Sequence, residues 1–235
     1  MSTKKNSGIQ KILKRFLKRL DESEKHHREL TTVVGLHRHR ASLESLLATQ
    51  FVLSLAVMWE AFVSDLMVGY VSVSPGTFLK NLEKRIDRSL NDKFGHGVAK
   101  RMKFIPPSNF NRAVAHSFLD HKGRNVTAHS AQELADRANE FLAGSSARKF
   151  SLDTDDRMFV DVLLGIRNFL SHRSKQSLAV LKKSVANLTP TGNNGPLCGQ
   201  LRTLESFLKK NTSINKTRAT FISERIRDVA TKLAS

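Results

Sequence analysis

The segment Phe51-Val-Leu-Ser-Leu-Ala-Val-Met-Trp-Glu-Ala-Phe-Val-Ser-Asp-Leu66 decides how this chain folds. Its apolar residues Phe51, Val52, Leu55, Met58, Trp59, Phe62, Val63 and Leu66 recur every three or four positions, which is the spacing of one broad helical face and not the alternation of a strand. The pattern runs from about Ala41 to Tyr70 and predicts the central core helix. Glu60 and Asp65 interrupt it, and each is expected to face solvent or a neighbouring basic side chain. Elsewhere, few prolines, one tyrosine and no sustained period-two alternation make the whole chain read as all-α. The longest nearly apolar run, Phe51 to Trp59, falls far short of the roughly 20 residues that span a bilayer, so no transmembrane helix is expected.

Outward from this helix, Ile9, Ile12, Leu13, Phe16, Leu17 and Leu20 form an apolar stripe ringed by Lys11, Lys14, Arg15, Lys18 and Arg19. Such a basic amphipathic helix can lie on anionic lipid, but packing against the rest of the protein or a second subunit is the commoner use. After the turn signal Pro75-Gly76, the residues Phe78, Leu82, Ile86 and Leu90 predict a third helix carrying Lys80, Lys84, Arg85 and Arg88. Lys100, Arg101 and Lys103 form another basic group before Pro106-Pro107. Ser130 with Glu133 reads as a capping box opening a helix to about Ala143, followed by a loop from Gly144 to Ser151. Asp153, Asp155 and Asp156 then supply first-turn negative charge to a helix bearing Phe159, Leu163, Ile166 and Leu170, which ends around Ser171 to Arg173.

A helix near Ser177 to Leu188 follows, and the stretch Pro190-Thr-Gly-Asn-Asn-Gly-Pro196 reads as a linker to two further basic helices, at Leu201 to Lys210 and Phe221 to Leu233. The expected organisation is an up-and-down helical bundle over 41–188, preceded by the N-terminal helix and its connection at 1–40 and followed by C-terminal helices at 197–235. On this reading, deletion of 197–235 leaves the bundle folded.

The 39 Lys and Arg against 21 Asp and Glu give a formal charge of +18, which favours a polyanionic partner, nucleic acid first. Cys198 is the single cysteine, so neither an intramolecular disulfide nor a thiolate metal site is expected. The charged N-terminus does not read as a secretory signal, and a cytoplasmic protein with no membrane association is expected. His116, His121 and His129 are five and eight residues apart, which fits no common helical metal-ligand spacing. No metal or cofactor is expected.

Arg167 follows Val160 by seven residues and Leu163 by four, which places it on the apolar side of its helix, where a guanidinium needs an anionic or hydrogen-bonding partner. The plain reading is an arginine paired with a core acid such as Glu60 or Asp65 beside a helix-end histidine. The chemical reading joins Arg167, Asn168 and His172. Histidine exchanges protons near neutral pH, arginine binds phosphate oxygens as a fork, and asparagine orients the histidine or the ribose. That set fits metal-independent RNA cleavage by the 2′-hydroxyl. Five residues correspond to about 140° around a helix, so Arg167 and His172 do not converge within one straight helix. A helix that loosens at its end, or a second copy presenting the same helix antiparallel, would line one cleft with both.

Arg167-Asn168-x-x-x-His172 resembles the Arg-x(4 to 6)-His motif of HEPN domains, and Met58-Trp-Glu-Ala-Phe-Val-Ser-Asp-Leu66 resembles the first core helix of the RiboL-PSP-HEPN group. The resemblance covers about residues 41 to 188. It implies an up-and-down bundle, a homodimer with the motif at its interface and, in many members, endoribonuclease activity in toxin or antiviral systems, with an antitoxin or defence-system partner. Other members only bind nucleotides or partners. Arg173 stands where certain toxin branches have tyrosine. On this reading Arg167 and His172 are catalytic and Asn168 positions, while Lys80, Lys84, Arg85, Lys100, Arg101 and Arg173 bind the RNA backbone. The pattern recurs at Arg124-Asn-Val-Thr-Ala-His129, but there Gly123 precedes and the capping Ser130 follows, so that copy is expected in a loop and not in the site.

Overall fold

The stripe from Ile9 to Leu20 lies on α1 (Thr3–Val34), and Ile9, Ile12, Leu13, Phe16 and Leu20 are all buried. The structure, a computed structural model, describes residues 3–119, 126, 128–212 and 216–235, with side chains from residue 7 onward. The stripe packs along α2 (Arg40–Val73), the helix of the decisive segment. Phe16 stacks on Phe62 with ring centroids 4.4 Å apart, and His27 stacks on Phe51 at 4.1 Å. The two helices are in tight contact at Gly69, where a Cβ would sit 2.9 Å from Ile12 Cδ1. The basic amphipathic helix is therefore spent on the core.

The remaining helices are α3 (Gly76–Phe94), α4 (His96–Ala99), α5 (Arg112–Leu119), α6 (Ala131–Phe141), α7 (Gly144–Ala147), α8 (Thr154–His172), α9 (Lys175–Ala186), α10 (Leu204–Lys209) and α11 (Arg218–Ala234). Among the described residues there is no strand, only an isolated bridge between Asn211 and Thr217. The fold is an all-α helical bundle. Helix α2 forms its axis, with α1, α5, α8, α10 and α11 packed around it. Because Glu60 and Asp65 are the charged residues in its apolar half, α2 is long and apolar enough by composition to cross a membrane, contrary to the reading from the Phe51–Trp59 run alone. In this structure 67% of its most apolar window is buried inside the molecule, as expected for a helix that is hydrophobic on most sides.

Two sequence expectations are corrected. Residues 144–150 are not a loop but α7 and a 3-10 turn at Arg148–Phe150, short pieces whose Ala147 and Phe150 are buried. Turns of three or four residues offer no periodicity to read. More consequentially, 190–196 is not a free linker. Asn194 is fully buried, its Nδ2 donates to the Asp155 carbonyl at 2.6 Å, and the Asn193 N–H donates to Asp155 Oδ2 at 2.8 Å. The loop thus docks on the first turn of α8 and delivers α11 into the middle of the bundle.

There, Ile222, Ile226, Val229 and Leu233 are fully buried in the same hydrophobic cluster as α1, α2 and α8. The division at 1–40, 41–188 and 197–235 does not describe the packing, because all three stretches fill one core. Polar contacts fix the arrangement. Tyr70 Oη donates to the Leu233 carbonyl at 2.8 Å, and Gln10 Nε2 donates to that of Ala234 at 2.9 Å. The acidic first turn of α8 does more than complement the helix dipole. Asp156 is fully buried, accepts from Arg225 Nη2 at 2.7 Å and pairs with Lys232, which also reaches Asp153 at 3.1 Å. A hydrogen bond from the Asp156 N–H, with burial opposing and Lys232 assisting, holds the Asp153 carboxyl below its ordinary pKa.

Candidate functional site

The C-terminal half of α8 is fixed by Leu163, Ile166 and Leu170, which are buried, and this frame presents Arg167 toward α2. Arg167 Nε lies 3.1 Å from Glu60 Oε1, with the two side chains 29% and 11% exposed. Its Nη1 donates to Asn168 Oδ1 at 3.2 Å. Of the two acids the sequence offered, Glu60 is the partner because Asp65 is already engaged by Arg15 and, at 2.7 Å, by Arg112. Asn168 thus serves the arginine, holding a second nitrogen of the guanidinium that Glu60 engages.

His172 is the last residue of α8 and is exposed. The helix stops there because Arg173 takes a left-handed conformation, with φ of 50°, and donates its N–H to the Phe169 carbonyl at 2.7 Å. Ser174 then opens α9 with a reciprocal capping box to Ser177. Arg167 and His172 lie on one unbroken helix, so they remain about 140° apart and do not converge within the chain. Arg173 is held 3.6 Å from Glu205, which ties this end of α8 to α10.

The proposed RNA-binding cations are divided. Arg173 adjoins His172. Lys80, Lys84 and Arg85 are exposed on α3, and Lys100 and Arg101 are exposed just beyond α4. Arg85 pairs at 2.9 Å with Glu140 near the end of α6. The start of α6 is held by Asp161, whose Oδ1 accepts from the Ala131 N–H at 2.7 Å. Helix α3 packs on α6, and α6 on α8, so Lys80, Lys84 and Arg85 lie on a helix one layer removed from the one that carries His172.

Two described residues of the second copy, Val126 and Ala128, lie closer to the site than the sequence suggested. Val126 is buried, and its N–H donates to Ser64 Oγ at 2.9 Å. With Ala128 it helps to wall an apolar crevice that also includes Trp59, Leu164 and Glu60. His129 donates its backbone N–H to Glu133 at 2.7 Å, the reach-back that the capping box at Ser130 implied, made one residue earlier. Arg124, Asn125, Thr127 and His121 lie outside the described residues. Compared with protein-family models, curated proteins and solved structures, the chain finds no match in any of the three.

Proposed function

We propose that this chain is a HEPN-like endoribonuclease that cleaves RNA without a metal ion, in a site that two copies of the chain complete. The observation that supports this reading is the Arg167 to Glu60 ion pair, because it joins in space the two segments that carry the resemblance. Glu60 and Asn168 hold two nitrogens of the guanidinium, which pre-orients it for a phosphate. His172, exposed at the helix end, acts as the proton acceptor.

In the reaction the ribose 2′-hydroxyl loses its proton to His172 and attacks the adjacent phosphorus. Arg167 stabilises the charge on the non-bridging oxygens. The bond to the 5′-oxygen breaks, and that oxygen takes a proton from water, which the protonated His172 replaces, leaving a 2′,3′-cyclic phosphate and a 5′-hydroxyl. The angular separation of Arg167 and His172 is what calls for the second copy: antiparallel α8 helices bring the arginine of one beside the histidine of the other. A toxin or antiviral role, with an antitoxin or defence partner, belongs to the same proposal. A non-catalytic module that binds a nucleotide or partner is the second reading, favoured by the degree to which Glu60 already neutralises Arg167.

Replacing Arg167 or His172 with alanine is expected to reduce cleavage by at least about a hundredfold while far-ultraviolet circular dichroism is unchanged. Mixing the two variants is expected to restore part of the activity, since the heterodimer holds one intact Arg167 and His172 pair. His129→Ala is expected to cleave normally. Cleavage that survives both α8 substitutions but is lost on changing His129 would move the site to the 124–129 segment, and a wild type that binds RNA without cleaving it would favour the binding module.

A further inference from the structure

We infer that the groove between α10 and the start of α11 binds the phosphodiester backbone of a single-stranded nucleic acid. The groove is lined by Gln200, Arg202, Ser206, Lys209, Lys210 and Arg218, with Glu44 at its edge. Glu44 is taken by Arg40 at 2.6 Å, which leaves the lining strongly positive.

Arg218 is the core of the inference. It is 6% exposed, yet among the described residues no carboxylate lies within ion-pair distance of it. Its Nε donates to the Pro196 carbonyl at 3.0 Å, its Nη2 donates to that of Cys198, and its guanidinium stacks on Phe207 at 4.1 Å from the ring centroid. These neutral partners orient the group without cancelling its charge, and burial lowers its pKa. A buried cation whose charge is uncompensated within the protein gains from an anion that arrives from outside. The backbone is shaped around it: Gly199 has φ of +134°, and a Cβ there would meet Arg218 Nη2 at 2.8 Å. The Arg218 N–H donates to the Lys210 carbonyl at 3.1 Å, which sets Lys210 beside it on the rim.

Arg202 and Lys210 are exposed in the same lining, which with Lys209 and Arg218 offers four cations and not a single anion pocket. A chain of phosphates matches that arrangement better than one free phosphate does. Helix α10, which lines the groove, also touches the proposed site, since its Glu205 pairs with Arg173, the residue after His172. The relevance of that contact rests on the reading of His172 as catalytic. The groove's affinity for phosphodiesters does not.

The test is binding of a fluorescein-labelled oligodeoxythymidylate, which lacks the 2′-hydroxyl and so is not a substrate for the proposed chemistry. The Arg202→Glu/Lys210→Glu variant is expected to bind at least about tenfold more weakly, with a logarithmic salt slope smaller by roughly 1.4, the share of two contacts on a single strand. The Lys18→Glu/Lys25→Glu variant, which changes two exposed lysines on α1, is expected to lose less than about threefold. Unchanged binding in the groove variant, or equal losses in both variants, would overturn the inference. So would inorganic phosphate protecting the wild type against heat while the oligonucleotide fails to bind. Loss of cleavage without loss of this binding would count against the catalytic reading alone.

Discussion

A chain ending at residue 196 is expected to lose its cooperative unfolding transition. Removing 197–235 strips the core of Leu197, Leu204, Phe207, Leu208, Ile222, Ile226, Val229 and Leu233, all buried to within 2%. Each such side chain contributes roughly 1.5–3 kcal/mol by burial. Their sum, roughly 12–24 kcal/mol, is as large as or larger than the roughly 5–15 kcal/mol of net stability typical of a domain. The deletion also exposes apolar faces of α1, α2 and α8 that α11 covers, and it leaves Asp156 buried without Arg225 or Lys232. Thermal and urea unfolding followed by circular dichroism, with size-exclusion chromatography for aggregation, are the measurements. A sharp transition retained by the truncated chain would show that α11 is dispensable.

The second large effect is expected from Asp156→Ala. The carboxylate is fully buried and receives Arg225, whose side chain is 8% exposed and lies over Phe159. Alanine leaves that guanidinium buried with Asn194 Oδ1 at 3.4 Å and, at 3.6 Å, the exposed Asp228. Breaking one side of a buried pair costs about 3–5 kcal/mol, mostly because the abandoned charge stays desolvated. Lys232, about half exposed, can turn to water or to Asp153 and adds little. Urea denaturation of the variant against wild type reads this directly, with Lys18→Ala, an exposed position, expected to fall within about 0.5 kcal/mol of wild type. A loss below about 1 kcal/mol for Asp156→Ala would mean that the network is not the lock between α8 and α11 described above.

These two effects also mark where the sequence stopped being legible. The stripes at 9–20, 51–66 and 159–170 could be read because helix periodicity is written in neighbouring residues. The docking of 190–196 could not, because the proline, glycine and asparagine that suit a flexible linker equally suit a tight loop. What separates the two is Asp155, thirty-odd residues earlier, whose carbonyl and carboxylate receive Asn194 and Asn193. Asp156 looked like its neighbours Asp153 and Asp155, since first-turn acids are expected on dipole grounds alone.

The candidate site was legible in part. The inward placement of Arg167 followed from its spacing to Val160 and Leu163, and Glu60 was one of two acids in the apolar half of the facing helix. Choosing between them required seeing Arg15 and Arg112 take Asp65. The basic residues could be counted in sequence but not located, and only the packing of α6 between α8 and α3 separates Lys80, Lys84 and Arg85 from His172. Arg218 carried no signal at all, because a guanidinium bound to backbone carbonyls has no sequence signature.

The most direct test of the proposed activity is incubation of the full-length protein with a single-stranded RNA in excess EDTA, with the ends of the products identified by mass spectrometry. Wild type is expected to yield 2′,3′-cyclic phosphate and 5′-hydroxyl ends, and His172→Ala to yield none. An RNA left intact by wild type, cleavage abolished by EDTA, or products with 3′-hydroxyl and 5′-phosphate ends would contradict the proposal.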